Sequence, residues 1–366
     1  MKHKKTLSLI LSFLISSTML AGCGGKGEST SKGNNNSTGS SNISIGLTTD
    51  EGGLNDKSFN QSANEGVLKA KEDFGIKYTS IESQKKEDYE PNLQALVDAG
   101  SNLTFGIGYQ LADAVSRAAK NNPETSFCLI DTEVKGDNIL SVTFKEEEGS
   151  FLVGVIAGLM TKTNKIGFIG GKDTETILKF ESGFTAGVKA VNPEAAKGLT
   201  SSDGSSAGTT VKYADSFADT NKGFELANSL FEAGCDVIYH AAGGVGIGMF
   251  QAAQQLKNKG SEVWAIGVDM DQSISLPEYK DVILTSMLKR VDTATYDAVK
   301  AMVEGNYKPG NKILGIAEGG VGIAETTSNN TPKEVISKVK DYEEKIKAGE
   351  IKVPTDRTGV MNFSVQ

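Results

Sequence analysis

Histidine is scarce in this chain: there are two in 366 residues, His3 and His240. A structural or catalytic zinc needs clustered Cys and His ligands, and no such spacing occurs. A serine nucleophile needs a base beside it. Gly204-Ser205-Ser206-Ala207-Gly208 matches G-x-S-x-G, but a loop precedes it and a strand-like run, TTVKYA, follows. A nucleophile elbow requires the reverse order, strand then helix. Acidic neighbours such as Asp269 and Asp271 stand outside any EF-hand-like loop. No catalysis and no cofactor are expected. Cysteine is nearly as rare. Cys128 and Cys235 lie in apolar strand-like runs (SFCLI, GCDVIY) and read as buried small hydrophobes from separate strands, with a disulfide as the alternative. Proline numbers 7 against 42 glycines, so stiff linkers are few and strand-to-helix turns many. Basic residues are outnumbered, 38 against 46 acidic, for a net charge of −8. Nucleic acid wants a basic stripe, and this balance argues against it and against peripheral binding through a basic surface. Long apolar runs are also missing. The run over residues 7–20 is short and broken by serines. That within residues 146–160 has about 10 apolar residues, which suits a core helix rather than a membrane span.

What is present begins with an export signal. Lys2, Lys4 and Lys5 form a positive start, residues 7–20 an apolar centre, and Leu20-Ala21-Gly22-Cys23 an ending that resembles a bacterial lipobox. Residues 1–22 are expected to be removed as a signal peptide. That loses three lysines, leaving 35 basic against 46 acidic residues and a net charge near −11. Cys23 would then carry lipid and hold the protein on the extracytoplasmic face of the cell membrane without spanning it. The run GGKGESTSKGNNNSTGSS after it reads as a flexible tether, so residues 23–41 are a linker.

From residue 43 onward, short apolar runs alternate with helical spacing. Strands are expected at 77–81, 103–106, 126–130 and 139–144, and helices at 88–99 and 109–120. A long helix over 146–160, with acids in its first turn to suit the helix dipole, opens a second series. There, strands at 165–169, 209–214, 236–240, 263–268 and 282–286 alternate with helices at 174–191, 222–233, 246–257 and 290–303. A short apolar stretch at 312–317, a glycine-rich turn and a charged helix over 332–348 complete the chain. The fold class is α/β, with two doubly wound parallel-sheet lobes.

The stretch that organises the chain is 43–74. An alternating strand (Ile43, Ile45, Leu47) leads into the loop Thr48-Thr49-Asp50-Glu51-Gly52-Gly53. A helix follows, with Phe59, Ala63, Val67, Ala70 and Phe74 on one face and Asn55 or Asp56 as its cap. Ligands of open α/β sheets bind beyond the carboxyl ends of the strands, where Asp50 and Phe59 gather. A core role for Phe59 and a turn role for Asp50 remain equally open. Gly243-Gly244-Val245-Gly246 follows a strand and opens a helix, but it is not the full dinucleotide fingerprint and reads as a turn that lets a small neutral ligand approach backbone. Asp50, Phe59, Asn60, Asp131, Phe217, Asp269 and Lys289 all fall just past strands of both series. Taken singly each suits a structural role; together they mark an interlobe cleft, a preferred ligand site. Two phenyl rings suit a flat heterocycle.

At TTDEGGLNDKSFNQSANEG (48–66) the chain resembles the basic membrane protein family of bacterial lipoproteins, the purine nucleoside receptor A-like substrate-binding proteins of ABC transporters. AAGGVGIGMFQAAQ (241–254), IGVDMDQ (266–272), TSMLKRVDTATYDAV (285–299) and GGVGIA (319–324) extend the resemblance over residues 42–354. It implies a type I binding-protein fold, two lobes joined by three crossovers: 42–143 with 290–312, and 144–289 with 313–366. It implies a nucleoside ligand, purine nucleosides first, a membrane permease as partner, and a monomer. Phe59 and Phe217 are implied to sandwich the base, with Asp131 as its hydrogen-bond partner. Asp50 and Asn60 would line the first-lobe side, Asp269 and Lys289 would hold the ribose hydroxyls, and Gly243 and Gly244 would bring backbone close. A sugar or another small solute on the same fold is the alternative.

Overall fold

A computed structural model describes residues 42–365. The signal peptide, the lipid-bearing Cys23 and the tether expected over residues 1–41 lie outside the described residues. The first series runs β1 (Ser44–Thr48), α1 (Phe59–Phe74), β2 (Lys77–Ile81), α2 (Tyr89–Asp98), β3 (Leu103–Ile107), α3 (Ala112–Asn121), β4 (Ser126–Ile130) and β5 (Ile139–Phe144). The second runs α4 (Glu146–Met160), β6 (Ile166–Gly170), α5 (Glu175–Val191), α6 (Pro193–Ala196), β7 (Val211–Tyr213), α7 (Thr220–Glu232), β8 (Val237–Ala241), α8 (Val245–Asn258), β9 (Trp264–Asp269), α9 (Gln272–Ser275) and β10 (Ile283–Lys289). After these come α10 (Val291–Val303), β11 (Gly310–Leu314), β12 (Val321–Ile323), α11 (Thr327–Asn330), α12 (Lys333–Lys347) and α13 (Arg357–Asn362).

The strands form two six-stranded sheets, ordered β11-β5-β4-β3-β1-β2 and β12-β10-β9-β8-β6-β7. Every pairing is parallel except β10 with β12. Each residue of β3, β6 and β8 is buried, as central parallel strands covered by helices on both faces must be. The edge strand β2 is half-exposed, which suits its polar sequence KYTSI. The chain crosses between sheets three times: at Lys145 between β5 and α4, at Arg290 between β10 and α10, and over 315–320 between β11 and β12. Helix α10 returns to pack on α1. Cys128 in β4 and Cys235 before β8 are both buried free thiols.

Helix α4 packs on α5 through a glycine seam. A Cβ on Gly187 would lie 2.1 Å from the Phe151 carbonyl oxygen, and one on Gly183 2.2 Å from that of Glu147. Side chains there would force the helices apart. The first turn of α7 is held by Asp219, whose carboxylate accepts the Lys222 N–H at 2.9 Å. Asp219→Ala should lower the unfolding free energy by about 1 kcal/mol, the usual worth of an N-cap; a shift under a few tenths in urea titration would show that the cap contributes nothing.

Two features depart from the sequence pattern. The glycine-rich turn at 319–324 contains a strand, β12, too short to show a period. Val211–Tyr213 is all of the strand expected over 209–214. The G-x-S-x-G segment is a loop pinned by the Thr200–Ala207 bridge, with Ser205 and Ser206 exposed and Gly204 buried, as its sequence context implies.

Candidate functional site

The loop after β1 is built by two carboxylates. Asp56 accepts the N–H groups of Ser58 (3.0 Å), Asn60 (2.9 Å) and Gln61 (3.0 Å), the otherwise orphaned donors of the first turn of α1. Of the two caps the sequence offered, Asp56 is the one used. It holds Lys57 in the left-handed region (φ 59°). It also leaves the hydroxyl of Ser58, at the N-cap position, free to reach Asp269 on the facing lobe. Asp50 accepts from Asn60 Nδ2 (2.8 Å) and the Gly52 N–H (3.0 Å), with Gln110 Nε2 at 3.4 Å. Burial pushes the Asp56 carboxyl up to about 7, against the three N–H bonds it receives. Burial also raises Asp50, against its bonds from Asn60 and Gly52.

Between the sheets lies a pocket, part of it open to solvent. Asp50, Phe59, Asn60, Asp131, Phe217, Gly243, Asp269 and Lys289 line it. Gly244 does not. Its N–H donates to the Phe217 carbonyl at 2.9 Å, so it braces the loop carrying Phe217 instead of facing the pocket. Gly243, at φ 56°, makes the turn into α8.

At the hinge end, Lys289 closes β10 with its ammonium buried. It lies 2.6 Å from Asp131 and 3.0 Å from Glu146, the first residue of α4. The rings of Phe59, Phe144 and Phe180 surround it at 5.1, 5.1 and 5.3 Å. Burial pulls Lys289 down, but Asp131, Glu146 and Asp269 together outweigh it and hold the ammonium charged. Burial raises Asp131 against the pull of Lys289, and it raises Asp269 as well. Asp131 (φ 83°) and Asp269 (φ 65°) are left-handed at the ends of β4 and β9, a strain that accumulates at functional sites. The resemblance put Asp131 at a base and Lys289 at a ribose. The two form a direct ion pair within the pocket.

The pocket also holds residues that the sequence reading passed over. Tyr109 meets Phe217 edge-on, centroids 6.3 Å apart. Ile177 and Phe180 of α5 form an apolar wall, and Asp56 and Gly108 complete the first-lobe rim. Gly108 and Tyr109 follow the end of β3, so the strand-end rule could have found them. Ile177 and Phe180 carry no signal beyond a helical apolar face. His240 is buried in β8 beside Gln272, and burial lowers it to about 4. Among the described residues, no group of three or more His, Cys, Asp or Glu is placed to hold a metal ion, and no helix is long and apolar enough to cross a membrane.

Residues 43–357 match the family described as Bmp: ABC transporter substrate-binding protein PnrA-like. The chain is 41% identical to the CD4+ T-cell-stimulating antigen of Listeria innocua, covering 96% of this chain and 99% of that one. It is 36% identical, over 96% and 99%, to the ABC transporter nucleoside-binding protein BmpA of Lactococcus lactis. An ABC transporter solute-binding protein from Aeropyrum pernix K1 superposes with a TM-score of 0.74 at 28% identity, over 87% of this chain and 96% of its own. The two lobes and their three crossovers are thus the type I arrangement of solute-binding proteins.

Proposed function

The chain belongs to the Bmp family of PnrA-like ABC transporter substrate-binding proteins, and on that premise we propose that its cleft binds nucleosides, purine nucleosides first. The family is one of binding proteins, not enzymes. The observation that carries the nucleoside reading is a pocket whose lining joins the phenyl rings of Phe59 and Phe217 to the carboxylates of Asp50, Asp131 and Asp269. Phe59 and Phe217 offer faces to a flat base, which gains apolar burial. Asp131 offers an acceptor to the base edge, and Asp50 and Asn60 line the first-lobe side. Asp269 and Lys289 offer a carboxylate and a cation to a ribose diol, whose hydroxyls both donate and accept. Lys289 is already neutralised by Asp131 and Glu146, so phosphate finds no spare cation and nucleotides bind worse than nucleosides. The lobes close on the ligand about the crossovers. A lipid on Cys23 keeps the protein at the membrane face, where it delivers its cargo to a permease.

A thermal-shift and calorimetry screen of the protein, freed of bound ligand by partial unfolding and refolding, tests this. A ligand at 100 times its dissociation constant stabilises by about 2.7 kcal/mol. Adenosine, guanosine or inosine should raise the melting temperature, while ribose and AMP should not. A shift with ribose alone would replace this reading with sugar binding. No shift with any nucleoside would remove the transport role.

A further inference from the structure

Two side chains of the second lobe grip the first across the cleft without lining the pocket. Gln272, at the start of α9, is fully buried. Its Oε1 accepts the Val268 N–H at 2.9 Å, which fixes the amide orientation, and lies 2.9 Å from His240 Nε2. An oxygen in that place makes Nε2 the protonated nitrogen of His240. The Gln272 backbone N–H is tied to Ser286 Oγ at 3.1 Å. With everything else anchored in its own lobe, Gln272 Nε2 donates across the cleft to the Lys57 carbonyl at 3.0 Å. Ser275 Oγ donates to the same oxygen at 3.4 Å. That carbonyl belongs to the strained residue which Asp56 holds left-handed, so the loop and the amide are set to meet.

The second grip is Lys172, just past β6. Its ammonium pairs with Glu51 at 2.5 Å and donates to Gln110 Oε1 at 2.9 Å, 5.7 Å from the centre of the Phe217 ring. Strand β8 separates β6 from β9, so the two grips stand on different strand ends. Both draw on the same short loop of the first lobe, Glu51 at its start and Lys57 near its end. Opening the cleft must break both, and neither contact requires the ligand to complete it.

We propose that Gln272 and Lys172 are positioning residues: clasps that hold the closed state and set how long a bound solute stays. The effect on residence rests on the nucleoside reading above; the clasping of the lobes does not. The ratio of closed to open state rises exponentially with the free energy of the contacts that hold it closed, and one net hydrogen bond is worth roughly a threefold to tenfold factor.

The test is a pair of nitroxide labels on the full protein, one per lobe, at the exposed positions Glu87→Cys and Glu225→Cys; the native Cys128 and Cys235 are buried. Electron–electron distance measurement without added ligand should show the closed-to-open ratio of Lys172→Met and of Gln272→Ala reduced by roughly threefold to tenfold each relative to wild type. Stopped-flow with adenosine should show dissociation faster by a similar factor, with association changed much less. A merely structural role would lower the melting temperature without moving either readout. Should Gln272→Ala unfold, Lys172→Met still decides, because its ion pair is partly exposed and leaves no buried charge behind. Closed fractions equal to wild type in the folded variants overturn the proposal. Opening with unchanged dissociation overturns its residence part. Opening in a protein that binds no adenosine upholds the clasps and removes the nucleoside reading instead.

Discussion

Lys289→Met is expected to lower the free energy of unfolding by about 3–5 kcal/mol, the scale for breaking a buried ion pair by removing one partner. Lys289 and Glu146 are each 1% exposed and Asp131 is 8% exposed at its side chain. Without the ammonium, Asp131 loses its counter-ion and Glu146 keeps only the more distant Lys179, at 3.7 Å. The three rings around Nζ then face methionine, which recovers packing but no charge. Adding Glu146→Gln should return part of the loss by removing one of the stranded charges, so the double change is less harmful than the sum of the singles. The deficit should also shrink on acidification. Burial already raises Asp131, so its neutral form becomes accessible as the pH falls, whereas at neutral pH its charge is the costly species. Urea unfolding at two pH values measures both effects. A loss under about 1 kcal/mol, below that expected of any buried pair, would mean that Lys289 is not the counter-ion the geometry makes it.

The second large effect is on binding. Asp269→Ala should weaken purine nucleosides by roughly 1.5–3 kcal/mol, the worth of a hydrogen bond to a charged group, which is about a 10- to 150-fold rise in dissociation constant. Asp269 lines the pocket at the end of β9 and accepts from Ser58 of the facing lobe. Its φ of 65° complicates alanine, which disfavours that region, while asparagine tolerates it. Asp269→Asn therefore serves as the companion: it keeps the backbone and loses the charge. Calorimetry with inosine on both variants separates the two contributions. Unchanged affinity in both would take Asp269 out of the ribose end.

Much of this molecule is legible in its residues. The runs at Ser126–Ile130 and Ile139–Phe144 and the helix at Glu146–Met160 coincide with the pattern to the residue, because apolar strands and strongly apolar helices leave a local signature. Asp50, Asp131 and Asp269 could be picked out because ligands of such sheets sit beyond strand ends. Other features left no local trace. Glu146 read as a partner of its helix dipole. Yet it is 3.0 Å from Lys289, and its neighbour Glu148 accepts the Ile316 N–H at 2.8 Å. The acids of one helical turn thereby tie together all three crossovers. Gly244 stood in a ligand-like motif, but its N–H is spent on Phe217.

Sequence alone determined the alternation of elements, the two-lobe architecture, the export of the chain as an expectation, and most of the strand-end residues that line the pocket. All of these depend on residues near one another in the chain, where period, capping and motif spacing act. The tertiary structure alone decided which partners meet across the cleft: Asp131 with Lys289, Ser58 with Asp269, Gln272 with the Lys57 carbonyl, and Lys172 with Glu51. Those pairs are separated by 121 to 215 positions, and their energies appear only when folding removes water and brings the two lobes within hydrogen-bond reach.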